Sequence, residues 1–206
     1  MIIMDKMTGE ITVKTYSSLG ECDVDEILRY ASAKGADGSI RELAQRCIGE
    51  LDKRLSFSVC YKEYGICREE TAYDLGFCRI ASKDLDKNLA GCNAVILFAA
   101  TLGIEADRLI ARHSKESAAK GLMTDAVCTE RIERLCDVFE REITDGLESR
   151  PRYSPGYGDV PIELQKSIFR ALDLERRLGI TLNGSMLVSP TKTVTALIGI
   201  KRRYNK

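Results

Sequence analysis

The chain has 206 residues, 44% hydrophobic and 30% charged, the profile of a soluble globular protein long enough for one sizeable core or two small ones. Lys and Arg number 31 and Asp and Glu 31, a formal net charge of zero, which argues against a nucleic-acid binder and against a polybasic membrane anchor. The longest apolar run, Ala94 to Ala100, is strand-sized and far below the about 18 residues of a membrane span, and MIIMDKMTGE at the start does not read as a signal peptide, so the cytoplasm is the expected compartment.

Residues 23–33 read as a short helix, with Asp23 placed to cap it and Ile27, Leu28 and Ala31 on one side. Residues 39–54 form a second, in which Ile40, Leu43, Cys47 and Leu51 recur at helical spacing. Residues 55–64 and 71–80 read as strands, with Gly65 marking a turn. Residues 84–90 predict a short helix ended by Gly91, and residues 93–101 a strand of the continuously apolar, buried kind. Two helices follow, over 103–112 and 116–144. The second carries Ala119, Leu122, Met123, Ala126, Ile132, Leu135, Phe139 and Ile143 near one face. Residues 161–178 predict a helix with Pro161 in its first turn, where a missing N–H costs little. Strands over 180–188 and 193–200, joined across residues 189–192, close the chain. Strand pairs mixed with helices predict the α+β class with a mainly antiparallel sheet.

All four prolines lie at or after Pro151, where the long helical pattern gives way to turns. The remaining residues are too few for more than a marginal core, so residues 1–206 are expected to form one domain. None of the eight cysteines pairs in a C-x-x-C spacing and the chain has a single histidine, so no metal site is expected. Cys60 and Cys136 sit inside apolar patterns, and free thiols acting as small hydrophobes are the expectation. His113 closes a predicted helix, where an imidazole faces solvent or the terminal carbonyls, with corrin ligation as the rarer alternative. The basic terminus KRRYNK reads as a solvated tail.

The densest unusual segment is Arg152-Tyr153-Ser154-Pro155-Gly156-Tyr157-Gly158-Asp159. Pro155-Gly156 signals a turn, and such a turn exposes main-chain groups to a ligand edge. Arg152 offers a planar fork for a carboxylate, and Tyr157 a ring face and a hydroxyl. Asp159 precedes a predicted helix and is placed to cap it. From these residues alone, a plain connection remains the alternative to a ligand cradle.

RYSPGYGDVPIELQKSIFRALD, followed by LGITLNGSMLVSPTKTVTALIGI, resembles the activation domain of cobalamin-dependent methionine synthase, and more closely its short stand-alone version. The family's Arg-x-x-x-Gly-Tyr loop is similar to Arg152–Tyr157. Its following hairpin resembles Leu182-Asn183-Gly184-Ser185, Pro190 and Thr193-Val194-Thr195, and GCNAVILFAATLGIEADRLI resembles the stand-alone subfamily upstream. The resemblance spans roughly the whole chain. It implies a subunit that binds S-adenosylmethionine and supports reductive methylation of cob(II)alamin on a separate cobalamin-binding methionine synthase subunit, fed by a flavodoxin-like or other low-potential electron donor. It further implies that Arg152 holds the ligand's carboxylate, that the Ser154 main chain meets the adenine, that Gly156 permits close approach, and that Tyr157 lies at the methyl group or the corrin face as the catalytic position.

Two departures stand out. The fused domain uses an upstream acid for the ligand's ammonium, which the sequence alone does not locate here, and Gly184 stands where many fused members carry Glu. No Asp-x-His-x-x-Gly cobalamin motif and no homocysteine or folate module is present, so the chain is not expected to make methionine alone. Two alternatives stand beside this reading. One is a module that docks on a corrinoid protein without binding S-adenosylmethionine; the other is a redox or structural protein that uses its thiols.

Overall fold

The structure, a computed structural model, describes residues 9–35 and 37–202; MIIMDKMT and residues 203–206 of the basic terminus lie outside the described residues. The elements run β1 (Thr12–Tyr16), α1 (Val24–Tyr30), α2 (Gly38–Leu51), β2 (Phe57–Gly65), β3 (Cys67–Arg68), β4 (Tyr73–Asp74), β5 (Arg79–Ile80) and α3 (Lys83–Asn88). Then come β6 (Ala94–Thr101), α4 (Ile104–Glu116), α5 (Ala118–Ile143), β7 (Glu148–Ser149), α6 (Leu164–Leu172), α7 (Leu174–Leu178), β8 (Thr181–Leu182), β9 (Val188–Ser189) and β10 (Thr193–Lys201). The fold is α+β with an antiparallel main sheet ordered β1-β2-β6-β10-β7.

Helices cover both faces of that sheet, which is why β6 reads as unbroken apolar sequence: every residue from Ala94 to Thr101 is buried. Ile96, Phe98 and Ala100 pack with residues of α1, α2, α4 and α5, whereas Val95, Leu97 and Ala99 pack with Leu85, Leu164, Ile168 and Leu172 on the opposite side. The central helix is α5, whose Phe139 ring sits 5.0 Å from Phe98 and 5.1 Å from Tyr61. Asp23 caps α1 as expected, accepting from the N–H groups of Asp25 and Glu26. Among the described residues, no helix is long and apolar enough to cross a membrane.

Three expected elements are built differently. The strand expected over 71–80 is a tight hairpin of β4 and β5, because the Asp74 carboxylate accepts from the Gly76 N–H at 2.8 Å and Gly76 takes φ +78. The helix expected over 161–178 breaks at Asp173, which adopts a left-handed conformation between α6 and α7. The expected strand over 180–188 does not pair with β10. The Asn183 side chain accepts from the N–H groups of Ser185 and Leu187, folding the segment so that β8 pairs with β9, and β10 pairs along its length with β6. The edge strand β1 had no sequence signal, since its residues are mostly exposed and do not alternate.

All eight cysteines are free; Cys47, Cys60, Cys128 and Cys136 are buried and Cys67 is exposed. Burial pushes the Cys22 and Cys128 thiols up to about 12, so both are protonated hydrophobes at neutral pH.

His113 is the clearest reversal, because α4 runs on to Glu116 and carries the imidazole into the interface of α2, α4 and α5. Its Nδ1 lies 2.7 Å from Thr124 Oγ1 and its Nε2 3.1 Å from Glu50, whose carboxylate also takes Lys120 Nζ at 3.0 Å. Burial first, and the Lys120 charge second, lower its pKa. The folded imidazole therefore binds its proton less readily than the unfolded one. Its contribution to stability is complete above about pH 6.5 and is lost as pH falls through the folded value. We expect the urea midpoint to drop between about pH 7.5 and 5.5, and to drop less in His113→Gln. Equal drops in the two proteins would remove His113 as the responsible group.

Candidate functional site

The segment after β7 runs beside β10 and then leaves it. Arg150 N–H donates to the Gly199 carbonyl at 2.8 Å, Tyr153 N–H to Leu197 O at 2.9 Å, and Leu197 N–H returns to Tyr153 O at 3.0 Å. In an antiparallel strand the N–H and C=O of one residue point the same way, and alternate residues share that direction. Thr193 and Thr195 therefore face the same side as Leu197. At their level the neighbouring chain has already turned away: Pro155 has no donor, Gly156 takes φ +88, and Gly156 N–H closes a turn onto Val160 O at 2.9 Å. The result is a gap in the sheet edge.

A cleft of about 410 Å³ occupies that gap. Its floor is Thr193–Thr195, one wall carries Glu133 from α5, another carries Gln165 from α6, and the remaining side bears Arg152, Tyr153, Ser154 and Tyr157. The structure thus gathers Arg152, Ser154 and Tyr157 around one cavity, with Gly156 in the turn that shapes it. A Cβ at Gly156 would meet Ile162 Cδ1 at 3.1 Å. The Tyr157 side chain stands at the surface, the residue being 69% exposed. Gly184 is not among the lining residues.

Arg152 is held by three carboxylates. Nη1 donates to Asp137 at 2.7 Å and to Glu140 at 2.8 Å, and Nη2 to Glu133 at 2.9 Å. Burial alone would pull the guanidinium down, but hydrogen bonds to Glu140 and Asp137 carry it above its ordinary value. Three of its five donors are used. Nε–H and one Nη2 hydrogen have no acceptor among the described residues, which leaves a fork open to a further carboxylate. Three acids against one cation leave this wall formally negative. Of the three, only Glu133 lines the cleft.

The far side of the turn is pinned by Asp159. Its carboxylate accepts from Lys83 N–H at 2.7 Å, from Asp84 N–H at 3.3 Å and from the Ser82 hydroxyl. Asp159 therefore caps α3 and not the helix that follows it, as the sequence suggested; α6 begins at Leu164 without a side-chain cap. Sequence reasoning also missed Glu133, Gln165 and the Thr193–Thr195 edge. Glu133, Asp137 and Glu140 form a readable i, i+4, i+7 stripe, but nothing in the sequence ties that stripe to Arg152.

No protein-family model matches this sequence, and no curated protein does either. Among solved structures, a crystal structure of the MetH reactivation domain bound to AdoHcy matches with a TM-score of 0.69 and 15% identity, covering 95% of this chain and 80% of that one. This chain has the fold of the MetH reactivation domain.

Because the Asp159 carboxylate takes two main-chain N–H groups and a hydroxyl at the start of α3, Asp159→Ala should loosen the turn while leaving the main sheet intact. We expect faster hydrogen exchange at the Lys83 and Asp84 amides and weaker ligand binding in the cleft. Unchanged exchange at both amides would show that the cap does not hold the turn.

Proposed function

We propose that the cleft binds S-adenosylmethionine and that the chain serves as a reactivation subunit for a cobalamin-dependent methionine synthase, supporting reductive methylation of cob(II)alamin on a separate corrinoid protein. The observation that carries this reading is a single cleft, on the MetH reactivation-domain fold, in which an acid-flanked guanidinium meets an open strand edge. The neighbouring structure holds AdoHcy, which shares the adenosyl group.

The residues present fit such a ligand. Its amino-acid carboxylate suits the open Nε and Nη2 donors of Arg152, and its ammonium and sulfonium suit the Glu133 carboxylate on the negative wall. Its adenosine suits the Ser154 main chain and the N–H and C=O groups of Thr193 and Thr195, which have no main-chain partner on that side among the described residues. A volume of about 410 Å³ lies within the range of small-molecule sites. When bound, the ligand would supply a methyl group to a reduced corrinoid and so draw forward an unfavourable one-electron reduction. This chain's part is to hold the amino-acid end and to present the exposed Tyr157 beside the mouth, where a corrinoid protein served by a low-potential electron donor would dock.

A second reading has an observation in its favour: Arg152 already takes three carboxylates of its own chain, and Gly184 supplies no acid. The chain would then dock on a corrinoid protein without binding S-adenosylmethionine.

Calorimetry with S-adenosylmethionine, with and without the corrinoid protein, separates the two. We expect wild type to bind and Arg152→Ala to lose roughly ten- to a hundredfold in affinity, the loss of a charged hydrogen bond. Glu133→Gln should weaken S-adenosylmethionine more than its uncharged thioether analogue. No heat under any condition overturns the S-adenosylmethionine reading. Tyr157→Phe should fold and bind S-adenosylmethionine normally yet support slower cob(II)alamin methylation; an unchanged rate removes the hydroxyl from the mechanism.

A further inference from the structure

The wall opposite Glu133 is neutral and holds an unfinished hydrogen-bonding group. Gln165 is 9% exposed and lines the cleft. Its Oε1 accepts from the Thr195 hydroxyl at 2.9 Å, and among the described residues nothing accepts from its Nε2. Thr195 is itself buried and belongs to β10, so the carboxamide is anchored to the sheet edge that forms the floor. An amide anchored through its oxygen, with its donor open to the cleft, is placed to meet an acceptor on a ligand.

We propose that Gln165 reads the adenine of the bound ligand, donating from Nε2 to ring N7 and accepting the 6-amino group on the second lone pair of Oε1. This inference rests on the reading of the cleft as an S-adenosyl site. A carboxamide places one donor beside one acceptor, the complement of the N7 and amino groups of adenine. Hypoxanthine presents two adjacent acceptors on that edge, N7 and O6, which neither orientation of the amide can match. The Thr195 hydroxyl sets the amide's orientation, so Thr195 is a positioning residue for Gln165. The division of labour follows the walls: the charged side holds the amino-acid end and the neutral side selects the base.

The test is calorimetric titration of the full chain with S-adenosylhomocysteine and with S-inosylhomocysteine. We expect wild type to prefer the adenosyl compound by about tenfold or more. Gln165→Leu should bring the ratio close to one, mainly by weakening the adenosyl compound. Gln165→Glu, which keeps the acceptors and loses the donor, should narrow the ratio as well and serves if the leucine variant does not fold. A wild-type ratio near one, or a preference that persists in the variants, overturns the role of Gln165 while leaving the S-adenosyl reading in place. Failure of wild type to bind S-adenosylhomocysteine at all overturns both.

Discussion

One two-way bridge, between Tyr153 and Leu197, sets the geometry of the cleft. It holds the incoming segment against β10 for a single residue pair, after which Pro155 and Gly156 take the chain away. Pairing for four residues more, through residue 157, would bring the chain alongside Thr195 and Thr193 and leave no gap. β7 and the Arg150–Gly199 bond bring the segment to the sheet, and the bridge carries it one residue pair further. The bridge also fixes side-chain direction, because alternate residues of an extended segment point to opposite faces. With Tyr153 packed on the α6 side, Arg152 must point to the α5 side, where it meets Glu133, Asp137 and Glu140.

That placement turns an ordinary helix surface into an electrostatic wall. The chain as a whole is neutral, so the negative character of the cleft is local and depends on which residues are brought together. Arg152 offsets the mutual repulsion of three carboxylates and still has donors to spare, while the carboxylates keep it charged. Both signs therefore lie within one side chain's reach on that wall, while the Gln165 wall carries no formal charge.

The sequence was most readable where one physical cause dominates. Burial on both faces makes β6 visible as a continuous apolar run, and the stripe along α5 together with the Asp23 cap marks helices that the structure contains. It was least readable where a side chain reaches across the fold. Asp159 looks like a cap for the next helix, but its partners at Lys83 and Asp84 lie far upstream in the chain. His113 looks like a helix-end residue until α4 proves a turn longer and α2 supplies Glu50. The hairpin of β8 and β9 was hidden because Asn183 closes it locally, against the stronger expectation that two neighbouring apolar runs pair with each other. The 152–159 segment was legible as a turn because glycine and proline announce one wherever they stand, and the resemblance to the activation-domain loop picked out Arg152, Ser154, Gly156 and Tyr157 within it. Glu133 and Gln165, which complete the same cavity, carry no such mark.

A fold shared at 15% identity is shared in its main chain. Much of this cleft is main chain as well: its floor is the edge of β10 at Thr193–Thr195, and its shape comes from where the 152–157 segment leaves the sheet. Such features survive wide changes of sequence, because any residue that tolerates the backbone path can supply them. Side chains such as Glu133 and Gln165 are free to differ from one chain to another, and in the proposed reading they set charge and base preference. The open edge makes this a site; the residues on its two walls decide what the site holds.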